Sequence, residues 1–246
     1  MLTKLTDRRA LRRWSRALDS IDQLDPDQAK RLQIQADRLS KRLNRVLNAV
    51  ERHATPTLQT IANQNPLHAD WTWCPSFWNG PLTPSGVAQV ESGARLSSDT
   101  ALFHDCSLND ITLRQTRDPS SSRFEARIET LDFSGSYISM AIDLPTGATA
   151  GLTASHIISC NAFIEMERTL EMYARLNLGF GPNVESLIVK RDPNSVDEAF
   201  EFDLSSATLD ESRLDRAWID LIFDAPAYNQ ISIKGVTLHR RPRAEV

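Results

Sequence analysis

From His156 to Leu178 the chain alternates polar and apolar residues, and several of the polar ones are of types that do chemistry. Glu165, Glu167, Thr169, Glu171, Tyr173, Arg175 and Asn177 share one parity. Ile158, Cys160, Ala162, Ile164, Met166, Leu170, Met172, Ala174, Leu176 and Leu178 share the other. Successive side chains of a strand point to opposite faces, so the pattern predicts a core face and a polar face. Further on, Trp218 and Asp220 share a parity opposite to that of Ile219, Leu221 and Phe223. Aromatic rings stack on the C–H side of a sugar, while Arg, Asn and Asp hydrogen-bond vicinal hydroxyls. A flat apolar surface with a few placed polar groups is what a small-ligand site needs. Tyr173, Arg175, Asn177, Trp218 and Asp220 are therefore the candidate ligand-binding residues, for a carbohydrate or another polar ligand. The competing expectation is a plain solvated face, because antiparallel sheets commonly leave one side wet and charges there protect sheet edges.

The carboxylates Glu165, Glu167 and Glu171 form a ladder that raises the question of glycoside hydrolysis. Retaining glycosidases hold two carboxyl groups roughly 5–5.5 Å apart. Residues two apart on a strand are separated by about 6.6 Å of rise. The run Glu165-Met166-Glu167-Arg168-Thr169-Leu170-Glu171 is loosely similar to the alternating-carboxylate signature of laminarinase-type enzymes, whose third carboxylate falls nearer than Glu171 does. Hydrolysis is accordingly the weaker alternative, and no catalytic residue is assigned.

Other chemistry has less behind it. His53, His68, His104, His156 and His239 never fall at metal-ligand spacing with one another. His104-Asp105-Cys106 is compact but lacks a second pair, and zinc needs three or four convergent ligands. The sequence contains no Gly-rich phosphate loop, Walker lysine or nucleophile elbow. No metal and no cofactor are expected. Cys74, Cys106 and Cys160 are odd in number and widely spaced, which fits a reducing compartment rather than a disulfide framework. Cys106 and Cys160 sit in strand-like patterns and should pack as small apolar residues.

The elements that must position the polar face fall into three segments: 1–52, 53–92 and 93–246. In the first, Ala10, Leu11, Trp14, Ala17, Leu18 and Ile21 form one stripe and predict a helix over 7–23, capped by Thr6 or Asp7 and preceded by Leu2 and Leu5. Arg8, Arg9, Arg12, Arg13 and Arg16 cover its opposite side. Asp25 caps a second helix with Pro26 at its first position, running to about Arg52. Its apolar positions Ala29, Leu32, Ala36, Leu39, Leu43, Val46 and Val50 step by three and four, a heptad seam. The two form a helical hairpin or coiled-coil-like segment. Segment 53–92 is rich in Trp and Pro, and Trp71, Trp73, Phe77 and Trp78 read as a packed strap, since tryptophans need burial. An exposed aromatic platform for sugar rings is the alternative there. From 94 onward the period changes to two, with nine candidate strands and turn signals such as Asp118-Pro119-Ser120 between most of them. The fold expected is mainly β, an antiparallel jelly roll or β-sandwich behind the helical hairpin. A bend near Arg168-Thr169 should send the two halves of the alternating stretch to different sheets.

Charge divides along the same line. Residues 1–52 carry a net +6 and residues 53–246 a net −10. The arginine face is solvated, meets an anionic membrane surface, or neutralises phosphates. The acidic β region argues against nucleic acid. No stretch approaches the roughly 18 apolar residues of a transmembrane helix, and the N-terminus lacks a signal-peptide pattern, so a cytoplasmic location with peripheral membrane association as an option is expected. The leading expectation is a non-enzymatic binding protein whose helices serve assembly or envelope association. The alternatives are a structural protein oligomerising through the helical seam, and a glycoside hydrolase.

Several strings carry a resemblance as a set: Arg8-Arg9-Ala10-Leu11-Arg12-Arg13-Trp14, Leu102-Phe103-His104-Asp105-Cys106, Leu113-Arg114-Gln115, Ala174-Arg175-Leu176-Asn177, Gly181-Pro182-Asn183, Arg216-Ala217-Trp218-Ile219-Asp220-Leu221-Ile222-Phe223 and Arg240-Arg241-Pro242-Arg243-Ala244-Glu245. Together they resemble a family of uncharacterised bacterial proteins of about this length, over essentially the whole chain. That resemblance implies one architecture and brings no activity. Separately, Ala217–Phe223 followed by Ile231–His239 resembles the final hairpin of galactose-binding-like jelly rolls, at the level of fold alone.

Overall fold

The computed structural model describes residues 2–54, 68–107, 110–117, 124–191 and 199–243. The chain divides into two compact units, Met1–Glu51 and Arg52–Val246.

The first unit contains α1 (Leu2–Asp19), a short 3-10 turn (Ile21–Gln23) and α2 (Pro26–Ala54). α1 starts before the predicted 7–23 boundary, so Leu2, Leu5, Thr6 and Asp7 lie inside it and neither Thr6 nor Asp7 is its cap. Helix propagation from a formed nucleus needs only tolerant residues, and Leu and Lys are good helix formers. At α2 the expected cap is present. The Gln28 N–H donates to Asp25 Oδ1 at 2.8 Å, and the Gln28 side chain accepts from the Asp25 N–H, a reciprocal capping pair. Among the residues of this unit whose side chains are described, none is fully buried. Leu11, Leu18, Ile21, Leu43 and Val46 are at least half exposed. Arg12, Arg13 and Arg16 are exposed as expected, and Arg13 donates to Gln35 of α2. The side chains of Arg8, Arg9 and Val50 lie outside the described residues.

The second unit is an antiparallel β-sandwich of jelly-roll type. Among the described residues thirteen strands run in chain order: β1 (Trp71–Trp73), β2 (Gly86–Ala88), β3 (Ala94–Arg95), β4 (Thr100–His104), β5 (Ile111–Arg117), β6 (Phe124–Thr130), β7 (Tyr137–Asp143), β8 (His156–Met166), β9 (Met172–Phe180), β10 (Asn183–Lys190), β11 (Ala199–Asp203), β12 (Leu214–Asp224) and β13 (Asn229–Pro242). One sheet has the order β11-β8-β13-β6-β5-β2, with β1 also paired to β13. The other has the order β10-β9-β12-β7-β4-β3. From β6 on, the chain steps between the sheets at nearly every connection; β9–β10 is a hairpin within one sheet. The alternating stretch divides at Arg168-Thr169 between β8 and β9, in different sheets, because the turn Glu167–Glu171 breaks the apolar parity.

Burial follows the two-residue rhythm. Met172, Ala174, Leu176 and Leu178 of β9, Ile219, Leu221 and Phe223 of β12, and Ile138, Met140 and Ile142 of β7 face Ile158, Cys160 and Ala162 of β8 and Ile231, Ile233 and Leu238 of β13 in one core. Fully burying each large side chain of this kind stabilises by about 1.5–3 kcal/mol.

Four short strands, β1 to β4, lie where the sequence predicted a connector or nothing regular. Their partners are distant: Trp71 opposes Arg240, Val87 opposes Leu113 and Ala101 opposes Ala141. Phe77 and Trp78 are buried in the sandwich core, and the Trp78 indole N–H donates to the Ile233 carbonyl at 2.9 Å. Gln115 fixes the same segment, donating to the Phe77 and Gly80 carbonyls and accepting from the Leu82 N–H. Trp71 and Trp73 are partly buried against the core, with ring centroids 6.4 Å apart.

Candidate functional site

The outer face of the β10-β9-β12-β7-β4-β3 sheet carries the polar parity. On it, Trp218 of β12 opposes Asn177 of β9 and Asp143 of β7, while Asp220 opposes Arg175 and Ala141. Strand alternation thus brings Arg175, Asn177, Trp218 and Asp220 to one patch from two separate stretches of sequence.

The patch is hollow for a steric reason. Ala101, Ala141 and Ser139 occupy its floor, next to Gly93, where neighbouring positions carry Trp218, Phe103, Tyr137, Arg175 and Arg216. Small side chains amid large ones on a pleated surface leave a groove, here of about 490 Å³. Asp143 and Arg95, also in its lining, form an ion pair at 2.7 Å.

Its polar groups are held in place. Arg175 donates through Nε (3.0 Å) and Nη2 (2.8 Å) to Asp220 Oδ2. The Asn177 amide donates to the same oxygen at 2.9 Å and accepts from Ser186 Oγ at 2.8 Å. Asp220 and Asn177 are 4% and 3% exposed, so these carboxylate and amide groups are buried although they belong to the outer face. A buried carboxylate needs its partners, and fixing it fixes Arg175. The Arg175 side chain keeps 42% exposure toward solvent. Among the described residues Asp220 Oδ1 accepts no hydrogen bond, and Ser139 Oγ, buried in the groove floor, has no partner.

The other predicted residues go elsewhere. Tyr173 donates to Glu171 at 2.7 Å, and Lys190 donates to the other oxygen of Glu171 at 2.7 Å while standing 5.5 Å from the Tyr173 ring centroid. The hydrogen bonds from Lys190 and Tyr173 hold the Glu171 carboxyl below its usual range. The hydrogen bond to Glu171 pushes the Tyr173 hydroxyl and the Lys190 ammonium up. Asn177 lies beneath Arg175 as its support. Glu165 pairs with Lys234 on the other sheet, and Glu167 sits in the turn after β8. Glu165 therefore lies in β8 while Glu167 and Glu171 lie in the turn that leads to β9, and no single face carries the carboxylate ladder.

His104, Asp105 and Cys106 serve the fold. The His104 Nε2 contacts the Val90 carbonyl at 2.8 Å, and Asp105 accepts from the Ser136 and Tyr137 backbone. Among the described residues no three His, Cys, Asp or Glu side chains form a group that could hold a metal ion. Burial and the charge of Asp99 push the Cys74 thiol up to about 12, and burial alone does the same to Cys160. No helix among the described residues is long and apolar enough to cross a membrane.

Ser139, Arg216, Phe103 and Tyr137 were not anticipated. Tyr137, Ser139, Ala141 and Asp143 do share one parity, opposite to Ile138, Met140 and Ile142, so the face of β7 was readable. Its neighbours were not, because adjacency of β7 to β12 is a matter of topology.

A family described as a family of unknown function (DUF6478) matches residues 1–246. No curated protein matches the chain. Among solved structures, the enzymatically active domain of tailspike protein 4 of Bacteriophage CBA120 is 10% identical with a TM-score of 0.39, over 61% of this chain and 21% of that one. The family 11 carbohydrate-binding module from Clostridium thermocellum, in complex with a β-1,3-1,4-mixed-linked tetrasaccharide, is 12% identical with a TM-score of 0.38, over 63% of this chain and 96% of that one. The module TmCBM61, in complex with β-1,4-galactotriose, is 12% identical with a TM-score of 0.34, over 59% of this chain and 90% of that one. Likenesses of this size say nothing of what this chain binds.

Proposed function

We propose a function from the site itself, because the family to which the chain belongs is one of unknown function: the protein is a non-enzymatic binding protein that engages a carbohydrate in the groove on the outer face of the β9-β12-β7-β4 surface. The observation that carries this reading is the fixed array at one wall of the groove. Arg175 is pre-aimed by a buried carboxylate beside the partly buried Trp218 ring. Pre-organisation lowers the entropy lost on binding. The ring offers a flat apolar surface, while the Arg175 guanidinium, Asp220 Oδ1 and Ser139 Oγ offer a donor, an acceptor and a hydroxyl that does both. Binding needs no group to change protonation and no bond to break.

A glycan array probed with the full chain tests this. Specific retention, lost on Arg175→Ala, is the expected result. Uniform silence, or retention that ignores Arg175→Ala, removes the reading.

A second reading is favoured by the helices. The seam positions Leu43 and Val46 are more than half exposed, and pairing with a second hairpin would bury them in heptad fashion. Light scattering on the full chain would then give an oligomer that Leu43→Glu/Val46→Glu returns to monomer. A monomeric wild type dismisses it.

A further inference from the structure

Of the three arginines that line the groove, two are neutralised. Arg95 pairs with Asp143 and Arg175 pairs with Asp220. Arg216 makes no ion pair and no side-chain hydrogen bond among the described residues; its guanidinium stands 5.9 Å from the centroid of the Trp218 ring. The groove therefore carries one uncompensated positive charge, inside a segment, 53–246, whose net charge is −10.

The side chain of Arg216 is not there by default. β12 and β9 pair Arg216 with Gly179. A Cβ at Gly179 would stand 2.5 Å from Arg216 Cγ and 2.6 Å from its Nε. Any other residue at 179 would lift Arg216 off the sheet. The absence of a side chain on β9 lays the guanidinium down next to Trp218, where the ring holds it by cation–π attraction. A second, independent feature points to a bound group. Ser139 is 4% exposed, faces outward by parity and lines the groove, and its hydroxyl is orphaned. Buried polar atoms are normally satisfied, and a ligand oxygen reaching the floor would satisfy this one.

We infer that the groove is selective for an acidic saccharide, one of whose sugar units presents a carboxylate to Arg216 while its ring lies along Trp218 and a hydroxyl reaches Ser139. This rests on the carbohydrate reading above and adds the charge of the ligand to it. A planar guanidinium with no protein carboxylate is matched by the two oxygens of a uronate. A neutral sugar would leave the charge of Arg216 unused.

The test uses the full chain and a matched panel: tetramers of galacturonate, glucuronate, mannuronate and guluronate, each beside its methyl ester, which keeps the sugar and removes the charge. Affinities are measured by calorimetry at low and moderate salt. At least one uronate tetramer is expected to bind about tenfold or more tighter than its ester, the range for a charge-assisted hydrogen-bonded pair, and to weaken as salt rises. Arg216→Gln should abolish the preference, read as the ratio of acid to ester affinity falling to about one. Gly179→Ala, which keeps the charge and displaces it, should do the same. Equal binding of acid and ester, or a preference that survives both variants, overturns the inference. If only neutral glycans bind, and Trp218→Ala abolishes that binding, the acidic preference falls and the groove stands. If no glycan binds at all, both fall together.

Discussion

Removing the carboxylate of Asp220 is the perturbation that reaches furthest into the site. Asp220 is buried and accepts from Arg175 twice and from Asn177 once, all at Oδ2. Asp220→Ala leaves a guanidinium and a buried amide without their acceptor. The Arg175 side chain is 42% exposed, so water replaces part of what it loses, and its share is about 1 kcal/mol. Asn177 is 3% exposed and cannot rehydrate; leaving its donor short of a charged acceptor costs about 1–2 kcal/mol. Asp220→Ala should therefore destabilise the sandwich by about 2–3 kcal/mol, and Asp220→Asn, which keeps the shape and an acceptor oxygen, by less. The assay is urea unfolding followed by tryptophan fluorescence, in which the buried Trp78 reports the sandwich core. A midpoint shift at unchanged slope is expected. A loss under about 0.5 kcal/mol, within the range of ordinary surface changes, would refute the view that this network holds Arg175 in place.

Other outcomes can be checked with simple measurements. Burial works to raise the Asp70 carboxyl, but the hydrogen bond from Arg240 and the charges of Arg240 and His156 hold it below its ordinary value, and burial keeps His239 below its own. Both folded values lie under the unfolded ones, so their stabilisation is complete at neutral pH. The His239 share fades as pH falls below about 6.5 and the Asp70 share as it falls below about 4; flat stability from pH 7 to pH 3 would contradict this. Trp78→Phe removes the donor to the Ile233 carbonyl and leaves a void, and should cost about 1–3 kcal/mol, read as a lower thermal midpoint; an unchanged midpoint would show that this stretch is not part of the core. Cys74 and Cys160, with thiols pushed up to about 12, should resist a disulfide reagent at pH 8 in the native state and react on unfolding; rapid labelling of either in the folded protein would disprove their burial.

Much of the β-sandwich could be read from the sequence, because its long strands carry their own signal. The parity of residues 156–178 identified core and polar faces and located the break at Arg168 where the chain leaves one sheet for the other. Short strands carried no such signal. β3 has two residues and β1 and β2 three each, too few to show a period, and they are held by ladder partners far along the chain. The pairing of Ala101 with Ala141, which hollows the groove, likewise depends on β4 lying beside β7. Parity placed Asp220 and Asn177 on the outer face, yet could not show that they are buried there, since their cover comes from neighbouring strands. The sequence does not assign Arg216 to the groove, because its position is set by a missing side chain at Gly179, a relation that exists only across the pair β9 and β12.

Hydrogen exchange of the full chain with and without the glycan most strongly retained on the array addresses the central claim most directly. Slowed exchange confined to residues 93–104, 137–143, 172–180 and 214–224 is the predicted result. Slowing that maps instead to residues 156–166 and 229–242 on the opposite sheet, or no slowing anywhere, would contradict it.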